Sequence, residues 1–163
     1  INGLTQQCIP FATDLNLTND EKLERIAQCK MSVCMNSFTV RGSSDLNNIK
    51  KQPEYMSNEA FVRAEEYGLC PQIKSRMNEA AACRTLNLVE EDYWNIAEKF
   101  YEPQKHFVYF NKKNLSDKIL EVLDNWKAYE VVAETAHEHF INNYTTEKLY
   151  HRIKNNENSS NWV

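Results

Sequence analysis

Glycine and proline are scarce: the chain of 163 residues holds three glycines and four prolines. Chains built from many short hairpin strands draw on those residues at their turns, so the scarcity points away from a β-sandwich or barrel. Positive charge is not in excess. The net charge of -4 argues against a nucleic-acid binder, which carries a basic face. Long apolar runs are missing as well, and none approaches the roughly 18 residues that cross a bilayer. The chain opens Ile1-Asn-Gly-Leu, without the basic start and apolar stretch of a signal peptide. The expectation is a mature form whose leader has been removed. No Gly-x-Ser-x-Gly nucleophile elbow and no glycine-rich phosphate loop occurs. These absences predict a protein that is not an enzyme and carries no cofactor.

What is present reads as helix. The 42% hydrophobic and 26% charged residues are ordinary for a globular chain long enough for one cored domain. Glutamate, lysine, alanine and leucine are common, and apolar/polar alternation is rare. The expected fold is all-α: a single disulfide-stapled helical domain of about six to seven helices over residues 19–154. An N-terminal arm, 1–18, precedes it, and a polar, mobile tail, 155–163, follows. Thr18 and Glu21 form a capping-box pattern. Behind it Leu23, Ile26, Ala27, Val33, Cys34 and Phe38 predict a helix that ends before Arg41-Gly42-Ser43-Ser44. Further helices are expected near Asp45–Lys51, from Ser57 to Gly68, from Pro71 through Cys83, and over Glu90–Tyr101. Gly68 suits a left-handed helix end. His106–Phe110 reads as an extended connection. The longest helix is expected from Ser116 to Asn143, and a last one over Thr146–Lys154.

Four sequons, at Asn16, Asn114, Asn143 and Asn158, are glycosylation acceptors only in the secretory lumen, where thiols also oxidise. Together with five cysteines they predict a secreted, extracellular glycoprotein. Cys29 and Cys34 stand five positions apart on the expected first helix. There they are about 140° and roughly 7.5 Å apart, too far to bond each other. Each would then staple that helix to Cys8, Cys70 or Cys83, and an odd thiol remains, buried or linking two copies. Zinc wants a second matching cysteine pair, which is missing.

The order Cys8, Cys29, Cys34, Cys70, Cys83 resembles the first five cysteines of insect odorant-binding proteins and their salivary relatives, although a sixth, expected near Asp92, is absent. The resemblance covers residues 8–92. It implies bridges Cys8–Cys34 and Cys29–Cys83, with Cys70 as the free thiol and a possible disulfide link between two copies through it. It also implies a helical carrier.

Among the four histidines, Glu134-Thr-Ala-His137 has di-iron spacing but no second copy, so no metal site is predicted. His137 and His139 are expected to point to different sides of their helix. His106 and His151 complete the set, and a buried histidine would leave pH sensing open. Aromatic residues crowd the stretch from Tyr93 to Phe110. Tyr93, Trp94, Phe107, Tyr109, Phe110, Trp126, Tyr129 and Phe140 are the candidate ligand-binding residues. They would line a cavity for a small hydrophobic or amphipathic ligand, unless the rings simply fill the core. The expected function is therefore a secreted binding protein, a carrier or scavenger. The alternative is a helical interaction module with a filled core and an extracellular protein as partner. No nucleic acid and no transmembrane segment is expected.

Overall fold

A computed structural model of the chain describes residues 17–39, 68–92 and 94–155. Helix α1 (Asn19–Ala27) starts where the capping box places it. Thr18 Oγ1 accepts from Glu21 N at 3.3 Å, and Glu21 Oε2 accepts from Thr18 N at 2.8 Å. The Thr18 hydroxyl, donating to Glu21 Oε2 at 2.7 Å, and then Thr18 N hold the Glu21 carboxyl below its usual range. The helix then stops early. Thr85 Oγ1 donates to Ile26 O at 2.9 Å, a carbonyl that also accepts from Cys29 N, and so ties the helix end to the start of the strand that follows Thr85.

The chain turns and continues as strand β1 (Met31–Cys34), then β2 (Ser37–Thr39). Strand β3 (Leu69–Pro71) pairs antiparallel with β2, Ser37 opposite Pro71. Helix α2 (Ser75–Ala82) buries Met77, Ala80 and Ala81, the face expected from the sequence. Next come β4 (Leu86–Glu90) and β5 (Val108–Phe110), separated by a 3-10 turn at Ile96–Lys99. Strands β1, β4 and β5 form a parallel sheet in that order. Met31 lies opposite Leu86, Cys34 opposite Val89, and Leu88 opposite Val108. Helices α3 (Leu115–Asp124), α4 (Trp126–Asn143) and α5 (Thr146–Lys154) follow.

Strand β4 is buried along its whole length, as a central parallel strand with both faces covered must be. Its side chains alternate between two packing clusters. Leu86 and Leu88 join Val108, Phe110, Ile119, Val122 and Ala133. Val89 joins Cys34, Met77, Ala81, Phe107 and Ala136 on the other face. Asn87 would be costly inside this sheet without a partner, and its Nδ2 donates to Met77 O at 3.0 Å, tying α2 to β4.

The fold is thus mixed α/β, which overturns the all-α expectation. Parallel strands are joined by helices rather than by tight turns, so a chain poor in glycine and proline can still build them. The helix expected through Val33 and Cys34 is β1, and part of the one expected over Glu90–Tyr101 is β4 and the 3-10 turn. The helix expected over 116–143 is two, broken at Asn125, whose backbone is non-helical at φ -115° and ψ 30°. The segment expected to be extended does supply β5, and the last helix spans Thr146–Lys154 as expected. The stretches around Asp45–Lys51 and Ser57–Tyr67 lie outside the described residues.

The disulfide staple is corrected too. Cys29, Cys34 and Cys83 are free thiols. Cys29 Sγ sits 3.3 Å from Arg25 O, and Cys83 Sγ is 3.5 Å from Leu23 O. Cys29 lies beyond the end of α1 and Cys34 lies on β1, so the shared helix that set their expected geometry does not exist. Cys8 and the side chain of Cys70 are outside the described residues. Backbone with positive φ occurs at Gly68 (62°) and, without glycine, at Arg84 (56°), Asn95 (49°) and Gln104 (63°).

Candidate functional site

In an open parallel sheet, ligands bind beyond the carboxyl ends of the strands. Here β1 ends at Cys34. Helix α2 runs back before β4, so its N-terminus reaches the same end of the sheet. Between the two lies an open cleft of about 300 Å³. Val33, Cys34 and Met35 form one wall, Lys74, Ser75, Arg76 and Glu79 the other, and Lys22 reaches in from α1.

Three cations line this cleft, and two of them, Lys22 and Arg76, hold one carboxylate. Lys22 Nζ donates to Glu79 Oε1 at 2.7 Å. Arg76 Nε lies 3.4 Å from Glu79 Oε2, close enough for charge attraction but not aligned for a hydrogen bond. Partial burial pulls the Glu79 carboxyl upward. Hydrogen bonds from Lys22 and Ser75, with the charges of Lys22 and Arg76, outweigh it and leave the group below its usual range. Lys74, the residue before α2, makes no side-chain cap, and the first turn holds no acidic residue. The partial positive charge of the helix start therefore adds to the cations.

Two buried groups, Asn36 behind the lining and Cys34 within it, back these walls. Asn36, just past β1, is buried; its Oδ1 accepts from Lys74 N at 3.1 Å, and its main-chain oxygen accepts from Gln72 N at 2.8 Å. Lys74 Nζ in turn donates to Gln72 Oε1. Burial pushes the Cys34 thiol up to about 11, with Arg76 and Lys74 opposing the shift only in part. It is a packed, protonated thiol, not a nucleophile.

The aromatic residues expected to line one cavity are divided between the two faces of the sheet. Phe110, Trp126 and Tyr129 pack into one cluster; Phe107, Tyr109 and Phe140 pack into the other. Trp94 is half-buried beside the turn that Asp92 stabilises, its N–H donating to Asp92 Oδ1 at 2.8 Å. Tyr93 is outside the described residues. The hydroxyls are engaged at the rim, Tyr109 with Glu98 at 3.0 Å and Tyr129 with Glu121. Among the described residues, Phe107 and Phe110 are buried in the two clusters and Trp126, Tyr129, Tyr109 and Phe140 pack against them from opposite faces of the sheet.

The histidines have structural partners. His106 and His139 stack at 4.4 Å between centroids, with Tyr101 edge-on to both. His106 Nδ1 accepts from Glu102 N at 3.0 Å. His139 Nε2 lies 2.8 Å from Phe100 O and His137 Nδ1 lies 3.0 Å from Ala81 O, so the two point to different neighbours. Two sequon asparagines are committed to internal bonds. Asn114 Oδ1 accepts from Asn111 N at 2.8 Å, and Asn143 contacts His139 at 2.9 Å through Nδ2 and Arg152 at 3.3 Å through Oδ1. Asn16 and Asn158 lie outside the described residues.

Sequence reasoning missed Lys22, Lys74, Arg76 and Glu79. The available signal was Arg76 and Glu79 three apart at a helix start, a pattern many surface helices share.

The model of a glycosyl transferase-like family matches residues 16–155. No curated protein and no solved structure matches the chain. The match spans most of the chain, which therefore belongs to this glycosyl transferase-like family. That membership replaces the odorant-binding resemblance, which rested on cysteine spacing alone. It also points to an enzyme, overturning the expected non-enzymatic carrier of a hydrophobic ligand and its alternative, a filled interaction module.

Proposed function

We propose that this member of the glycosyl transferase-like family binds an activated sugar donor, with the donor's phosphate leaving group in the cleft beyond β1. The observation that carries this reading is the joint placement of Lys22, Lys74 and Arg76 with the uncapped start of α2 at the carboxyl end of the sheet. Glycosyl transfer breaks the bond between the anomeric carbon and a leaving oxygen, which departs with the electron pair. An acceptor atom forms the new bond to that carbon and gives up its proton. Negative charge grows on the leaving oxygen, and fixed positive groups lower the barrier. Lys74, Arg76 and the N–H groups of the first turn of α2 are placed to do this. Glu79, kept ionised by its two cationic neighbours, offers acceptor oxygens to donor hydroxyls.

Calorimetric titration of the purified chain with inorganic pyrophosphate and with a nucleoside-diphosphate sugar tests the reading. Saturable binding that weakens as salt is added is expected. Heat signals equal to buffer dilution for both ligands would remove it.

A further inference from the structure

We infer that Asn36 is a positioning residue for the anion in the cleft, an inference that rests on the function proposed above. Asn36 is 1% exposed and stands where β1 gives way to β2. The β2–β3 ladder reaches Ser37 opposite Pro71. Proline has no N–H, so that residue cannot donate to extend the ladder. The two bonds onto Asn36 take over beyond it: Gln72 N to its main-chain oxygen at 2.8 Å and Lys74 N to its Oδ1 at 3.1 Å. They fasten the short segment that leads into α2.

That fastening matters because the helix start has no side-chain cap of its own. The placement of Lys74, Ser75 and Arg76 relative to β1 runs through Asn36. The Cys34 thiol also approaches Oδ1, at 3.4 Å, so two donors converge on one oxygen and fix the amide's orientation. The opposite side of the amide, Nδ2, has no partner among the described residues. A buried donor left this way is costly. The oxygen, which holds Lys74 N, is thus the working half of this amide.

The test compares wild type with Asn36→Ala and Asn36→Asp by pyrophosphate calorimetry and by hydrogen exchange of individual amides. In Asn36→Ala, pyrophosphate affinity should drop roughly fivefold, the worth of one ordinary hydrogen bond. Lys74 and Arg76 amides should exchange faster, while β4 amides keep their protection. In Asn36→Asp the oxygen remains, so exchange at Lys74 stays slow. If the alanine variant does not fold, Asn36→Ser, too short to reach Lys74 N, takes its place. Wild-type affinity in the alanine or serine variant, or unchanged exchange at Lys74, overturns the inference and leaves the proposed function standing. Absence of pyrophosphate binding by the wild type removes the proposed function and the inference together.

Discussion

Two regions of the molecule use polar groups in opposite ways. Around the stacked His106 and His139, Tyr101 donates to Asn78 at 2.7 Å and Tyr144 to Phe100 O at 3.0 Å. The polar atoms named there are spent on neighbours inside a cluster of packed rings. At the cleft, Lys22 and Arg76 share the one carboxylate of Glu79 and Lys74 lies beside them, so cations outnumber anions in the lining. The first region closes on itself; the second is where the proposed donor phosphate would sit. A chain can hold uncompensated charge at one end of a sheet because the other packing is closed.

The sharpest way to break the comparison is Phe107→Ala. Phe107 is fully buried in the cluster of α2 and α4. Its loss should cost about 3–5 kcal/mol in denaturant-melt stability. A loss below about 1 kcal/mol would show that this face of the sheet is loosely packed. Arg76→Ala should do the reverse. Pyrophosphate affinity should fall about tenfold, equal to about 1.4 kcal/mol, while stability moves by less than about 1 kcal/mol. Unaltered affinity would locate the anion elsewhere.

A third contrast is in acid. Burial, aided by the neighbouring His139, pushes His106 down to about 4. The folded protein thus favours the neutral ring, and the stability gained from it is present above the unfolded histidine value near 6.5. It is lost progressively as pH falls from there through about 4. His106→Leu should flatten that part of a stability–pH curve, and an equal slope in both proteins would refute the assignment. The smallest effect concerns thiols. Iodoacetamide should label exposed Cys29 quickly and spare Cys34 until the chain unfolds. Mass spectrometry of timed samples would contradict this if both labelled together.

Local signals in the sequence carried real structural content. The capping box at Thr18, the buried face of α2, the extended segment before Asn111 and the final helix are each set within a few residues, and each is legible. Strands β1 and β4 are not. Val33 and Cys34 continue a helical spacing by coincidence, and Leu86-Asn-Leu-Val-Glu90 carries Asn87 and Glu90 among its apolar residues although the whole strand is buried, so neither an apolar run nor a clean alternation marks it. The cleft was illegible for a different reason. Lys22, Val33 and Arg76 come from three separated segments, and only parallel pairing of β1 with β4 brings them to one place. The cysteine spacing misled because it was measured along a helix that ends at Ala27.

The left-handed turns at Arg84, Asn95 and Gln104 have a consequence for engineering. Each carries a Cβ in a conformation that costs about 1–2 kcal/mol for most residues. Evolution has left unused reserve at these corners. Arg84→Gly would relieve one of them, giving up only an exposed ion pair with Glu134, and the protein's heat tolerance has room to rise without touching the cleft.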